Sequence, residues 1–364
     1  HRDLHSFPTR RSSDLLRLWN LESWVTRWVD EMLFANAVAR LILLPEAGPQ
    51  FVLTQFNPIT AFSWFYPYAQ ALVVSLSEPG LTALRLVSAL AGAAQIGAIY
   101  LVGRELGGRR LGLLAALLLA TFPAHLHFSR IGIANMGDPL FALLAMGLLL
   151  RGLRRGSQVD FVLAGGMLAL TQYFYEGGRL FFPLFVFLWL GWLALMARLL
   201  HDPAWRFPNW RNLLLFVAAY ALLTLPLYYT WMARDLPFLP RLEAMADAER
   251  RVLLEDAALP LLERLQPYFE KIPVILRGLV QIPDSSWFYG GKLGFVMPWM
   301  VPLLLLGIAR SLWRLHRRDG SLLSWWLAGV IVGNAIIVDS LSAPRYLVVF
   351  PALALLIAVG LSTC

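Results

Sequence analysis

The sequence is poor in charge and almost without cysteine. Only 15% of its 364 residues are charged, 58% are hydrophobic, and the mean hydropathy is +0.61. A soluble domain of this size carries nearer a quarter of charged residues, so the composition excludes an ordinary soluble enzyme. The single cysteine, Cys364, cannot form an internal disulfide and says nothing about the redox compartment.

Common soluble-enzyme signatures are also missing. The sequence holds no HExxH, GxSxG, GxxxxGK or CxxC motif. His125 and His127 stand two residues apart, on different faces of a helix, so we interpret them as interfacial histidines rather than a metal pair. The pI of 9.9 and net charge of +8 do not point to nucleic acid, because arginines at the cytoplasmic ends of membrane helices explain them better.

Long apolar runs dominate instead and predict an all-α polytopic membrane protein with about nine transmembrane helices. The runs fall near residues 81–103, 111–128, 138–150, 159–174, 180–199, 212–232, 293–309, 321–338 and 346–362. Backbone groups in lipid need partners within their own segment, so each run is predicted to be helical.

The loops between these runs alternate in charge. Four loops share thirteen arginines: Arg104, Arg109, Arg110, Arg151, Arg154, Arg155, Arg198, Arg206, Arg211, Arg310, Arg314, Arg317 and Arg318. The positive-inside rule places these loops in the cytoplasm and the other set outside. The predicted organisation is a first extracytoplasmic segment 16–80, membrane helices over 81–232, a second extracytoplasmic segment 233–292, and membrane helices over 293–364.

Both ends of the sequence are predicted to be affected by its origin. The stretch "HSFPTRRSSDL", His5–Leu15, reads as the translation of a widely used sequencing-adapter oligonucleotide. We therefore interpret residues 1–15 as adapter-derived and exclude them from the fold. Because "GLSTC" directly follows an apolar run, we expect a fragment that lacks an upstream membrane helix and further helices downstream.

Two outer segments are long enough to carry structure of their own. Residues 16–80 are rich in aromatics and contain Pro58 and Pro67, which favours interfacial helices over a straight span. Residues 233–292 repeat apolar positions at helical spacing. They predict short amphipathic helices at the outer membrane surface, broken at Pro260, Pro267 and Pro273.

Ionisable residues at the outer ends of the spans are the candidates for chemistry. They are Asp30, Glu31, Arg130, Asp138, Glu176, Arg179, Lys292, Asp339 and Arg345. Charge at membrane depth is costly and marks function or mutual pairing. The alternative for each is a helix-end charge: Asp138, for example, would complement a helix dipole.

These residue types suggest a division of labour. A carboxylate can accept a proton from an attacking hydroxyl. Cations can neutralise a departing phosphate. Several outer aromatics are candidates for stacking on sugar rings, although an interfacial aromatic belt is the commoner reason for such residues. These aromatics are Trp28, Trp64, Phe65, Tyr66 and Tyr68.

Four stretches together resemble a known family. They are "DE" in the first outer segment, "SALAGAAQIGAIYLVGRELGGRRLGLLAALLLATFPAHLHFSRIGIANMGDPLF", "YFYEGGRLFFPL" and "APRYLVVFPALALLIAVG". Over residues 24–362 the chain is similar to polyprenyl-phosphate-dependent glycosyltransferases of the GT-C class. Within that class it resembles the branch of protein O-mannosyltransferases and the lipid A aminoarabinose transferase.

The resemblance implies an inverting enzyme of the plasma (inner) membrane. Such an enzyme moves a sugar from a polyprenyl-phosphate donor to a protein, lipid or polysaccharide acceptor on the extracytoplasmic side. Asp30 matches the expected catalytic carboxylate and Glu31 completes the acidic pair. Asp138, in "GDP", matches a second catalytic aspartate, which is expected to support the donor sugar or the acceptor. The cations expected near the substrate are Arg130, Arg179, Lys292 and Arg345, of which Arg179 and Arg345 match recurrent arginines.

One departure and two competing functions stay open. The aminoarabinose transferases carry a Lys-Pro-Pro run where this chain reads "TQFNPITAFSWFYP", so the donor sugar and the cation facing its phosphate are undetermined. No metal is required by the sequence, and a divalent cation between carboxylates is an alternative. A lipid or sugar transporter competes with the transferase, but no inverted repeat appears. A non-catalytic membrane scaffold is the third hypothesis.

Overall fold

Helices make up nearly all the regular structure of the chain. The computed structural model describes residues 17–22, 29–44, 51–57, 61–200, 209–240, 260–284, 286, 288–290, 292–336 and 341–363. The one sheet in this part of the chain is a two-stranded hairpin. The all-α membrane class predicted from composition is therefore confirmed.

The first outer segment folds as two helices around that hairpin. Its elements are α1 (Val29–Leu43), β1 (Gln55–Asn57), β2 (Phe62–Ser63) and α2 (Phe65–Leu76). The strands pair antiparallel, with Gln55 opposite Ser63. Pro67 lies in the first turn of α2, where proline is tolerated. Helices were predicted here, whereas the hairpin was not, because strands of three and two residues leave no alternating pattern.

The first two predicted spans are the two arms of α3 (Leu81–Thr121). The helical dihedrals break at Gly107 and Gly108, and Gly108 has a φ of 84°. A Cβ on Gly103 would lie 2.8 Å from the Cα of Gly112. Residues nine apart in a straight helix are far from contact. The arms therefore fold back on each other as a tight helical hairpin.

The other helices follow the remaining predicted spans, apart from a short helix at the end of the second span and one helix in the second outer segment. They are α4 (Pro123–Phe128), α5 (Gly137–Arg155), α6 (Gln158–Leu170), α7 (Glu176–Leu200), α8 (Trp210–Ala233), α9 (Leu261–Val280), α10 (Val301–Trp313), α11 (Arg318–Ala335) and α12 (Phe350–Leu361). Short 3-10 turns lie at Ala134–Met136, Thr171–Tyr173, Pro298–Met300 and Ala343–Val348. By length and hydropathy, four helical stretches of the described chain are long enough to cross a membrane. The count of nine stays a prediction.

Local signals in the sequence set several of these bounds. Gly156 ends α5 in the left-handed region at φ 68°. Glycine occupies that conformation without steric cost. Ser157 follows as the N-cap of α6, and its hydroxyl oxygen accepts the Asp160 amide. Two residues thus turn one span into the next.

The four arginine-rich loops lie at one end of the bundle. Arg154 donates to Glu105, which joins the first two loops. The Asn212 side chain donates to the Gly156 carbonyl, which adds the third. One cavity is lined by both Arg110 and Arg310 and adds the fourth. The grouping of loops by charge is confirmed, while the assignment of this end to the cytoplasm stays a prediction.

The amphipathic segment after residue 260 differs from its prediction. Pro260 precedes α9, as expected of a helix start, but α9 continues through Pro267 and Pro273. Each internal proline removes one backbone donor. The carbonyls of Glu263 and Phe269, four residues before the two prolines, therefore accept no helical hydrogen bond from them. Both residues are exposed, so solvent can satisfy these carbonyls. The prolines were wrongly predicted to break this helix.

The core is built around α12. Nearly every residue of this helix is buried, and it packs against α10 and α3. Gly307 of α10 and Gly360 of α12 face each other at the crossing. A Cβ on either would overlap a backbone carbonyl of the opposite helix, that of Leu356 or Leu303. Such small residues allow close approach of helices that no hydrophobic force drives together in lipid.

We expect Gly307→Ala to force α10 away from α12 and to lower stability by roughly 1–3 kcal/mol, as overpacking does. Unfolding of the purified protein in detergent, followed by tryptophan fluorescence, measures the loss. Gly191→Ala is the matched control, because a Cβ at Gly191 meets nothing within 4 Å. Equal stability of the two variants would contradict the close crossing.

Candidate active site

A buried ion pair joins the predicted acidic motif to the first span. Arg85 Nε and Nη2 donate to the two carboxylate oxygens of Glu31, each at 2.7 Å. The exposed fractions of the two side chains are 0% and 4%. The Gly132 amide also donates to Glu31 at 2.7 Å, and Arg85 Nη1 donates to the Leu21 carbonyl. Glu31 therefore organises the site, and its carboxylate is already engaged within the protein.

A second set of hydrogen bonds fixes the segment that leads to Asp138. The Tyr66 hydroxyl lies 2.6 Å from that of Ser88, which donates to the Ile133 carbonyl. Gln95 donates to the Met136 carbonyl. Burial raises the pKa of Tyr66, and the charge of Glu31 raises it further against the hydrogen bond to Ser88. The phenol is therefore a neutral donor at this position.

Asp30 lies beside this network in the first turn of α1. Neighbours in a helix point about 100° apart, so Asp30 and Glu31 face different surroundings. The Asp30 side chain is half-buried, whereas that of Glu31 is buried. Both carboxylates complement the positive end of α1. Of the acidic pair, Asp30 is thus the member with access to solvent or substrate.

Arg130 lies in the outer segment tied to Glu31. Its guanidinium donates to the carbonyls of Trp19 and Asn20. Burial lowers the pKa of Arg130, and the charge of nearby Arg85 lowers it further. Arg130 thus holds the chain at Trp19 and Asn20 against the outer segment, and its role at a substrate stays a prediction.

Asp138 is buried at the first turn of α5. Its carboxylate accepts the Tyr175 amide at 3.2 and 3.3 Å. It also packs against Gly178, where any Cβ would overlap it. Asp138 thereby fixes the start of α7 against the start of α5. The helix-end alternative describes these contacts, and its predicted catalytic role stays a prediction.

Arg179 is buried one turn into α7 and serves several backbone carbonyls. It donates to Gln172, Phe238 and Ala61 at 2.8–3.2 Å and more weakly to Phe174. Its guanidinium carbon lies 4.6 Å from the ring centre of Trp231. These contacts favour a role in holding the outer segments together over direct contact with a substrate phosphate.

An apolar groove of about 370 Å³ runs between α7 and α11. Leucines and phenylalanines of α7 form one wall, and α11 forms the other with large residues such as Trp325 and small ones such as Gly333. Polar residues gather at the outer end, where Tyr175, Glu176 and Arg345 line it. The structure therefore brings two of the predicted outer residues, Glu176 and Arg345, to the mouth of one groove.

The 3-10 turn that carries Arg345 is anchored at both ends. The Ala343 amide donates to Asp284 at 2.8 Å. At the other end, the Trp326 indole donates to the Val348 carbonyl at 2.8 Å. Asp284 also accepts the amides and hydroxyl of its own turn, from Ser286 and Tyr289. The Arg345 backbone is therefore held in a fixed position at the groove.

The remaining predicted residues do not join these clusters. Lys292 is exposed and is not among the residues that line the groove. Asp339 and Trp28 lie outside the described residues. Trp64 and Tyr66 are buried among Phe34, Phe56 and Phe62. They are therefore core residues of the first outer segment and not the sugar-stacking or belt residues that we predicted. Tyr68 is exposed, and Phe65 is partly buried.

Within the described chain, no three His, Cys, Asp or Glu side chains gather as a metal site. Glu31 is engaged by Arg85, which removes one carboxylate from any pair that could hold a cation. His125 is buried and contacts Gln95 and Arg17 through its two ring nitrogens. It is therefore a core histidine and not the interfacial one that we predicted.

Two site residues escaped the sequence analysis. Arg85 is a lone arginine in the apolar run of α3, and charge at membrane depth is a signal that could have identified it. Asp284 has no such signal, since it stands in a polar loop like any turn-forming aspartate. Only the tertiary contact with Ala343 shows what it does.

Comparisons with known proteins agree on the fold. Residues 63–206 match the family described as dolichyl-phosphate-mannose-protein mannosyltransferase. The structure is similar to ArnT from Cupriavidus metallidurans bound to undecaprenyl phosphate, with TM-score 0.64 and 16% identity. That alignment covers 97% of this chain and 59% of ArnT. No curated protein matches by sequence.

The same fold occurs in an archaeal enzyme. The oligosaccharyltransferase of Archaeoglobus fulgidus in the apo form has TM-score 0.61 and 16% identity, over 96% of this chain and 49% of that one. The same enzyme, AglB, in complex with an inhibitory peptide and a dolichol-phosphate has TM-score 0.56 and 15% identity, with the same coverage. This chain thus spans about half to three-fifths of the solved chains that it matches.

We expect Arg85→Ala to lower stability by about 3–5 kcal/mol, because it leaves the buried Glu31 carboxylate without its partner. Thermal and denaturant unfolding in detergent measure the loss. Arg155→Ala, at an exposed arginine of the arginine-rich end, is the control and should leave the midpoint nearly unchanged. The double variant Glu31→Gln, Arg85→Met should recover part of the loss. Equal effects of Arg85→Ala and Arg155→Ala would contradict the buried pair.

Proposed function

The chain has the fold of GT-C membrane glycosyltransferases, and from this premise we propose that it is an inverting glycosyltransferase using a polyprenyl-phosphate sugar. The acceptor is a hydroxyl on the extracytoplasmic side, presented by a protein, lipid or polysaccharide. The enzyme is a multi-pass protein of the plasma (inner) membrane, with its arginine-rich loops in the cytoplasm. No nucleic acid takes part.

The observation that carries this proposal is the groove between α7 and α11. Its walls are apolar, its volume is about 370 Å³, and Arg345 and Glu176 lie at its outer end. A prenyl chain has no polar atom to satisfy, whereas its phosphate needs a cation. The groove offers apolar walls for the prenyl chain and, at its outer end, a cation for the phosphate. A transporter for a water-soluble sugar would need a polar lining in the membrane instead.

The proposed reaction needs only groups of the chain and its two substrates. The acceptor oxygen attacks the anomeric carbon, and its proton passes to the Asp30 carboxylate. The bond from that carbon to the phosphate oxygen breaks, and the phosphate leaves with the bonding electrons. Arg345 faces the charge that develops on the phosphate. The anchored 3-10 turn keeps this cation in place before the substrate arrives.

Other predicted residues are given supporting roles. Glu176, which lines the groove mouth, is proposed to accept hydrogen bonds from sugar hydroxyls. Arg130 and Lys292 are proposed to add positive charge on the side of the membrane where the anionic headgroup of the donor lies. Arg179, Asp138 and Glu31 position the outer segments around the substrates. Transfer is proposed to need no metal, and a divalent cation bound at Asp30 is the alternative.

We expect Asp30→Asn to lower the transfer rate about a hundredfold or more, the usual contribution of a general base. The measurement is product formation, by mass analysis, from a panel of polyprenyl-phosphate sugars with the full-length protein in lipid nanodiscs. Glu22→Gln, an exposed carboxylate of the same outer segment, is the control. Unchanged transfer by Asp30→Asn would contradict its role. Lipid translocation with no transfer product would favour a transporter.

We expect Gly333→Phe to fill the groove and to raise KM for the lipid donor with little change in kcat. Losing about 1 kcal/mol of packing corresponds to roughly a fivefold rise. Steady-state kinetics with the donor identified in the first assay measure both constants. Gly191→Phe is the control, because Gly191 also has open space at its Cβ and does not line the groove. The same KM in both variants would place the donor elsewhere.

A further inference from the structure

A second cavity lies at the opposite, arginine-rich end of the bundle. It has a volume of about 310 Å³ and lies among the turn of α3, the end of α10, the start of α11 and the end of α12. Three arginines line it, Arg110, Arg310 and Arg314, with one carboxylate, Asp319. Its size falls at the lower end of the range for ligand pockets.

Close backbone contacts bring these arginines together. A Cβ on Gly320 would overlap the carbonyls of Ser311 and Arg314, so the start of α11 packs directly on the end of α10. Gly107 lines the cavity from the turn between the two arms of α3. Two separate elements, α3 and the end of α10, therefore place guanidinium groups around one space, and the start of α11 closes it. This convergence differs from arginines spread along a solvated helix face.

The carboxylates of this end do not neutralise all the arginines that line the cavity. Asp319 pairs with Arg314 at 2.9 Å. Glu105 is engaged by Arg154, and Asp160 by Arg151. No ion pair joins Arg110 or Arg310 to a carboxylate of the described chain. Like charges gathered in one concave site repel each other and raise the local concentration of anions.

The first turn of α11 adds partial positive charge to the same cavity. Asp319 and Gly320 of that turn line the cavity. The N-cap residue Arg317 provides no side-chain hydrogen bond to the helix start. The first amides of a helix have no partner within it and carry a partial positive charge. Helix start and guanidinium groups together form a site suited to phosphate.

The apolar part of the cavity points to a lipid as the source of that phosphate. Leu106, Leu111, Leu323 and Val359 line its inner wall. Trp313, at the end of α10, is 85% exposed. An exposed tryptophan at a helix end is typical of the level of the headgroups. A free phosphate would use the arginines alone, whereas a phospholipid would use both walls.

We propose that this cavity binds the headgroup of an anionic phospholipid, with its phosphate on Arg110 and Arg310 and its first methylenes on the apolar wall. The site is separate from the donor groove, which ends on Arg345 at the other end of the bundle. In the proposed orientation the lipid comes from the cytoplasmic leaflet. The bound headgroup holds α3 and the end of α10 together at a point where their like charges oppose packing.

The test compares the full chain in nanodiscs of phosphatidylglycerol and of phosphatidylcholine. Lipid retained on the protein is measured by native mass spectrometry, and stability by thermal unfolding. Wild type should retain phosphatidylglycerol and unfold at a higher temperature in it. The double variant Arg110→Gln, Arg310→Gln should bind it about tenfold or more weakly and lose the stabilisation. Its unfolding temperature in phosphatidylcholine should equal or exceed that of wild type, because the double variant relieves the repulsion between the two arginines, and a cooperative transition there shows that it folds.

Two further variants sharpen the comparison. Arg155→Gln removes an exposed arginine of the same end that does not line the cavity, and it should bind like wild type. Asp319→Asn releases Arg314 from its carboxylate and should strengthen phosphatidylglycerol binding. If Arg155→Gln and the double variant lost the same phosphatidylglycerol affinity, the binding would depend only on the net charge of this end, and the proposed site would be wrong. Stabilisation by inorganic phosphate alone, with none added by phosphatidylglycerol, would overturn the lipid assignment.

Discussion

The outer half of this molecule depends on the buried ion pair between Glu31 and Arg85. Two charges removed from water are tolerated only when each satisfies the other, so α1 and α3 meet in one geometry. The same carboxylate accepts the Gly132 amide, and Ser88 and Gln95 fix the residues that follow. These contacts fix the position of the start of α5. Asp30 precedes Glu31 on the same helix, so its side chain points in a different direction and is only half-buried.

Within the membrane layer, small residues decide where helices touch and where they do not. Gly307 and Gly360 let α10 and α12 meet at their backbones. Gly333 of α11 has the opposite effect, since it lines a groove and a Cβ there would meet nothing within 4 Å. Lipid supplies no hydrophobic force to close such a gap. The same residue type thus creates both a close backbone contact and the space that suits a prenyl chain.

Much of the fold could be predicted from the sequence because membrane helices are recognisable as long apolar runs. The charge alternation correctly grouped the four arginine-rich loops, since charge is costly to carry across lipid. The antiparallel pairing of Gln55–Asn57 with Phe62–Ser63 and the continuity of α9 through Pro267 and Pro273 were not predictable in this way. Short strands carry no period, and the effect of a helical proline depends on whether solvent reaches the carbonyl that it leaves.

For the site, the sequence by itself determined which ionisable residues stand at the outer ends of the spans, because an apolar context makes every charge conspicuous. Only the tertiary structure decided what each one contacts. It engaged Glu31 with Arg85, turned Arg179 toward backbone carbonyls, and placed Arg345 at a groove with Asp284 behind it. The physical reason is that a charge in a membrane protein must find a partner, and the partner is chosen by packing between segments far apart in the chain.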